Sequence, residues 1–192
     1  MQNKILISSL VAGVTLLLGT AITPSTVEAA TATGTNQGNT TIQFTAPTDG
    51  QLVLNKVPSF DFGNHALATS YSAFTATGDT PYDVTNLTGD SNGYTVTAQA
   101  GQLTNGSSVL PVSSLTTDTA DGTADSVTGG KISGATGVSI YQASNKVATG
   151  NASANGELQS GTTGATLTLS SPGVKTGTYT GVIDYTITDG IN

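Results

Sequence analysis

A single histidine, His65, stands in a chain of 192 residues that has no cysteine and no tryptophan. It is the natural place to look for acid–base chemistry, yet a catalytic histidine needs a nucleophile and an orienting group beside it. Serine is so common in this chain that a serine near His65 is coincidence, and the expected role is at a turn or strand edge. One histidine without cysteine also supplies too few good ligands for zinc. A glycosidase pair needs two carboxylates facing one cleft. Asp61, Asp83, Asp184 and Asp189 lie on or beside alternating segments, all on the polar side, so solvated positions are expected. In "DTADGTADS", Asp118, Asp121 and Asp125 are calcium candidates, but they lack the alternate-residue spacing and closing glutamate of an EF-hand loop. The triplets at Asn39, Asn86, Asn105 and Asn151 fit an N-glycosylation pattern, which composition alone explains in a chain rich in Asn, Thr and Ser. A binding or structural module without a cofactor is expected, and not an enzyme.

The elements that would position these residues are short and alternate with period two. "TTIQF" sets Ile42 and Phe44 on one face, "QLVLNKV" sets Leu52 and Leu54, and "SFDF" sets Phe60 and Phe62. "YDVTNL" aligns Tyr82 with Val84, "YTVTAQ" aligns Tyr94, Val96 and Ala98, and "GVSIYQ" aligns Val138 with Ile140. "ATLTLSS" aligns Ala165, Leu167 and Leu169, and the closing run aligns Tyr179, Gly181, Ile183, Tyr185 and Ile187. Such alternation without a 3.6-residue apolar stripe predicts an all-β domain. Each sheet then has one wet face and one dry face, so two antiparallel sheets must cover each other as a β-sandwich, with a β-barrel as the alternative. The Gly-, Thr- and Asp-rich stretches Leu115 to Gly137 and Ala148 to Gly164 read as long surface connections.

At the N-terminus, Lys4 precedes an apolar run from Ile5 to Ile22, and Val27 and Ala29 stand at the small-residue positions of a cleavage site. Residues 1–29 are therefore expected to be a signal peptide, 30–39 a flexible leader, and 40–192 the folded domain. No second hydrophobic stretch follows, so no membrane span is expected after cleavage. Four lysines and no arginine face eleven carboxylates beyond residue 29. That balance repels phosphate backbones and excludes nucleic acid as a partner.

Three stretches carry a resemblance. "GQLVLNKVPSFDFG" (Gly50 to Gly63) fits G-x-L-x-L-x-x-V-P-x-x-x-F-G, "GYTVTAQ" follows at Gly93, and Tyr179 is separated by five residues from "YTI" at Tyr185 to Ile187. In this order, with five residues between Tyr179 and Tyr185, they resemble the WxL-domain family of cell-surface proteins of Gram-positive, low-GC bacteria. The two signature tryptophans of that family are Tyr94 and Tyr185 here, and its leucine is Ile187. The resemblance implies a secreted, non-enzymatic protein attached non-covalently to the cell wall by binding peptidoglycan. It also implies complexes with other cell-surface proteins, with host extracellular matrix as a further partner. No LPxTG-like sorting motif occurs in the sequence, in keeping with non-covalent attachment. The implied wall contacts are Tyr94, Thr95, Val96, Tyr179, Tyr185, Thr186 and Ile187. Both signature rings lie on the apolar side of their strands, so packing in the core and contact with a ligand are both open to them.

Overall fold

The structure, a computed structural model, describes residues 40–191, so the expected signal peptide and leader lie outside the described residues. Eleven strands follow in order: β1 (Leu52–Lys56), β2 (Phe74–Thr77), β3 (Asp83–Asn86), β4 (Tyr94–Ala100), β5 (Val112–Thr119), β6 (Ile132–Gly134), β7 (Val138–Ser139), β8 (Asn145–Gly150), β9 (Gly156–Gln159), β10 (Thr163–Leu169) and β11 (Ile183–Asp189). They form three open antiparallel sheets, ordered β1-β3-β9, β2-β10-β5-β7 and β11-β4-β8-β6. No sheet closes on itself, so the fold is an antiparallel β-sandwich and not a barrel. All three sheets deliver buried side chains to one core, including Val84 from β3, Val96 from β4 and Leu167 from β10.

The two stretches expected as long loops contain strands. β5 and β6 fall in or across the first, and β8, β9 and β10 in or across the second. The reason is that threonine takes core positions. Thr117, Thr119 and Thr163 are at most 2% exposed, with Thr119 and Thr163 facing each other across β5 and β10. A β-branched side chain fits a pleated surface, but its hydroxyl hides the strand from a search for apolar alternation. β8 is concealed differently. The register between β4 and β8 slips between Val96 and Thr97, so Val147 and Ala148 are consecutive and both buried. Two alternating segments form no strand: "SFDF", whose phenylalanines still pack on the core, and "TTIQF", whose Ile42 and Phe44 are 76% and 86% exposed.

β3 runs between β1 and β9 and is covered on both faces, which corrects the expectation for Asp83. Its carboxylate is buried at 1% exposure, whereas Asp61, Asp184 and Asp189 are exposed. Burial alone would raise its pKa. The amides of Asn55 at 3.1 Å and Gln159 at 3.0 Å and the Lys56 ammonium at 3.6 Å outweigh burial and hold it below the usual range. A depressed folded-state pKa contributes stability that is complete above the unfolded value, about pH 4, and is lost as pH falls through the folded value. Asp83→Asn should therefore lower the melting temperature clearly at about pH 7 and much less at about pH 3. Equal losses at both pH values would contradict this account. Asn86 on the same strand is 2% exposed and donates to the Ala154 carbonyl at 2.9 Å, so it is closed to a glycan.

Candidate functional site

The second and third motif stretches become neighbours. β4 and β11 pair antiparallel in continuous register, with Tyr185 opposite Ala98, Thr186 opposite Thr97 and Ile187 opposite Val96. The seven implied contact residues therefore lie on or beside one two-stranded ribbon, but they differ sharply in access. Tyr94 and Val96 are 0% exposed and Thr95 is 3% exposed, so none has surface to offer a polymer. Tyr179, Tyr185 and Ile187 are half-buried, and Thr186 alone is exposed.

Local sequence explains the burial of Tyr94. Its cross-strand partner is Gly150, and a Cβ added there would overlap the Tyr94 ring, so the ring lies flat over a residue with no side chain. The preceding Gly93 has φ of 69° and its missing Cβ would run into the Gly150 carbonyl, which accounts for the Gly-Tyr pair. The Tyr94 hydroxyl is fully enclosed and has no hydrogen-bond partner. Burial raises its pKa.

Tyr185 is placed differently because β11 ends its sheet. Its hydroxyl donates to the Pro58 carbonyl at 2.8 Å, and its ring meets Tyr82 edge-on with centroids 5.7 Å apart. The hydrogen bond joins the third motif stretch to the first across 127 residues of sequence. Such a bond contributes about 1 kcal/mol and fixes where the segment after β1 crosses the sandwich. Burial, followed by the field of Tyr82 and of Asp79, raises the Tyr185 pKa.

Beyond Pro58, residues 57–67 and 174–183 border a groove of about 940 Å3 that opens onto the core leucines Leu110, Leu115 and Leu167. Tyr179 and Tyr185 stand in its wall, so the first and third motif stretches share one cavity. The Tyr179 hydroxyl donates to the Lys175 carbonyl at 3.2 Å. The sequence matches no family model and no curated protein. What the site can do therefore rests on its own chemistry.

Several titratable side chains singled out in the sequence have local partners. His65 donates from Nε2 to the Phe62 carbonyl at 2.7 Å, and its ring is tilted against that of Phe74 with centroids 4.3 Å apart, in a segment that is neither strand nor turn. Asp61 accepts from the Gly63 N–H two residues on, at 2.8 Å. The calcium candidates accept from different groups, and Asp118 lies at the end of β5. Asp118 accepts from Gly137 N–H, Asp121 from Lys131 and Gly134, and Asp125 from Val127 and Thr128. The Lys131 ammonium, first among these partners, holds the Asp121 carboxyl below its usual range. Among the described residues, no three metal-ligating side chains converge.

Leu103 and Leu110 are groove residues that the alternation of longer segments does not reveal. They flank a tight hairpin, with Leu110 N–H donating to the Leu103 carbonyl at 2.8 Å. The dipeptide Asn105-Gly106 between them is the signal that could have found it.

Proposed function

We propose that this is a secreted cell-surface protein held non-covalently at a Gram-positive cell wall through peptidoglycan, and that the contact is the outward row of the β4–β11 ribbon. The observation that carries the reading is the side-by-side register of the two motif strands. On their outer side Thr186 pairs with Thr97 and Asp184 with Gln99, and Thr186, Asp184 and Gln99 are exposed. Hydroxyl, amide and carboxylate groups on a flat ribbon suit hydrogen bonding to the hydroxyls and amides of a glycan strand or its stem peptide. The buried tyrosines then hold the ribbon in shape and take no part in contact.

Purified protein incubated with purified cell walls should sediment with them, and Thr186→Glu should reduce the bound fraction roughly tenfold, the equivalent of one or two hydrogen bonds. Val127→Glu, at a position 91% exposed on a separate loop, should bind as the parent does. A chain of formal charge -7 and an anionic wall polymer repel over about 8 Å at physiological salt, so binding should tighten as salt is added. Sedimentation no greater than an albumin control, or equal binding by the Thr186 variant, would refute the reading. A second reading, a structural subunit of a cell-surface complex or adhesin, is favoured by β2 and β11, which end their sheets with no further strand hydrogen-bonded among the described residues.

A further inference from the structure

The segment Thr40–Thr45 reads T-T-I-Q-F-T, with Ile42 and Phe44 on one side and Thr41, Gln43 and Thr45 on the other. It has the composition and period of a strand yet is assigned to no strand among the described residues, and its two apolar side chains are 76% and 86% exposed. Isolated exposed apolar residues are ordinary, but two large ones in strand spacing on an unpaired segment form the apolar face of a missing partner.

The same chain carries the complementary defect. Its groove of about 940 Å3 is bordered by Phe74 on β2 and by Ile183 and Tyr185 on β11. These are end strands of the two four-stranded sheets, so among the described residues each has one edge to which no further strand is hydrogen-bonded. Core leucines Leu115 and Leu167 line the cavity between them. β2 has four residues and β11 seven, and at about 3.3 Å per residue a six-residue strand of roughly 20 Å spans that range.

We propose that Thr40–Thr45 of one molecule adds as a strand to this groove in a second copy of the chain, with Phe44 and Ile42 turned toward the leucines. Phe44 stays exposed while the groove in its own chain stays open, so the occupant that fits is the same segment from a neighbour. Charge agrees, because the segment carries none and the groove wall has only a few charged groups, such as Asp61 and Lys175, of opposite sign. Burying a large aromatic ring hides roughly 150–250 Å2, and a six-residue strand with both its faces covered reaches the order of 1,000 Å2 that a specific interface needs. The contact is head-to-tail: each molecule donates one segment and accepts another, so copies join into open chains. The proposal does not depend on wall attachment, whose contact row is the opposite face of β11.

The absence of cysteine makes the test direct. Secreted chain carrying Phe44→Cys is mixed with chain carrying Ala66→Cys, a groove-wall position that is exposed, under mild oxidation. A disulfide between the two molecules should form roughly tenfold faster than between Val127→Cys and Ala66→Cys, the gain expected when docking raises the local concentration. It should form faster still with added salt, which screens the repulsion between two acidic chains. Sedimentation velocity should show concentration-dependent association that Phe44→Asp abolishes without moving the melting temperature. A cross-linking rate equal to the Val127 control overturns the proposal. Closure within one monomer in the Phe44→Cys, Ala66→Cys double variant, without association of the parent chain, overturns it too.

Discussion

Tyr94→Ala should destabilise the protein by about 3–5 kcal/mol, which for a domain of ordinary stability is a large part of the whole. The ring is fully buried on the inner strand β4 and covers Gly150, so its removal opens a cavity that neither glycine nor backbone can collapse to fill. Tyr94→Phe should do the opposite of what the loss of a polar group commonly does. The hydroxyl is enclosed without a partner, and relieving an unsatisfied buried hydroxyl should leave stability unchanged or raise it by about 1 kcal/mol. Gly150→Ala, which puts a methyl group into the ring, should cost about 1–3 kcal/mol or more, and less in a Tyr94→Ala background. Equilibrium urea unfolding of the parent and the four variants measures all of this. A Tyr94→Phe variant as unstable as Tyr94→Ala would show that the hydroxyl is bonded after all.

The second large effect is expected in alkali. Burial pushes Tyr82 up to about 12, offset in part by the Thr119 and Tyr185 hydroxyls, which lie near its oxygen without meeting hydrogen-bond geometry. Tyr94 and Tyr185 are raised as well, in both cases chiefly by burial. A raised phenol pKa means that the unfolded chain gives up its protons first. The stability involved is complete below the unfolded value, about pH 10, and is lost as pH rises toward the folded values. At about 1.4 kcal/mol per unit, Tyr82 alone accounts for roughly 2–3 kcal/mol, and the other two rings add to it. Phenolate absorbance and circular dichroism should therefore change together in one cooperative step between about pH 10 and 12, and Tyr82→Phe should move its onset upward. A fold that persists unchanged beyond about pH 12 would refute this.

The fold class was legible where strands are built from aromatic and aliphatic residues. Tyr94, Val96 and Ala98, or Ala165 and Leu167, announce β4 and β10 without help from context. It was illegible where Thr117, Thr119 and Thr163 take core positions, because a residue that fits either face of a sheet carries no sign of which it faces. The candidate site was half legible. Two motifs with the same spacing predict two similar strands, yet Tyr94 is enclosed and Tyr185 is half-buried. β4 is hydrogen-bonded to strands on both sides, while β11 has one such neighbour among the described residues. Neighbour count is a property of the assembled sheet, and no local pattern encodes it. The same holds for Asp83, whose polar face is the buried face of a strand covered on both sides.

The pairing of β11 with β4 also sets an order of events. When synthesis has reached Gly181, β4 has been complete for some eighty residues but its partner does not yet exist. Until then β8 is the only one of β4's two partner strands that has been made, and Tyr185 cannot fasten the Pro58 segment. Distant pairings of this kind close slowly, because the chain between them must be ordered before the contact rewards it. The β4–β11 ribbon thus closes only after β11 has been made.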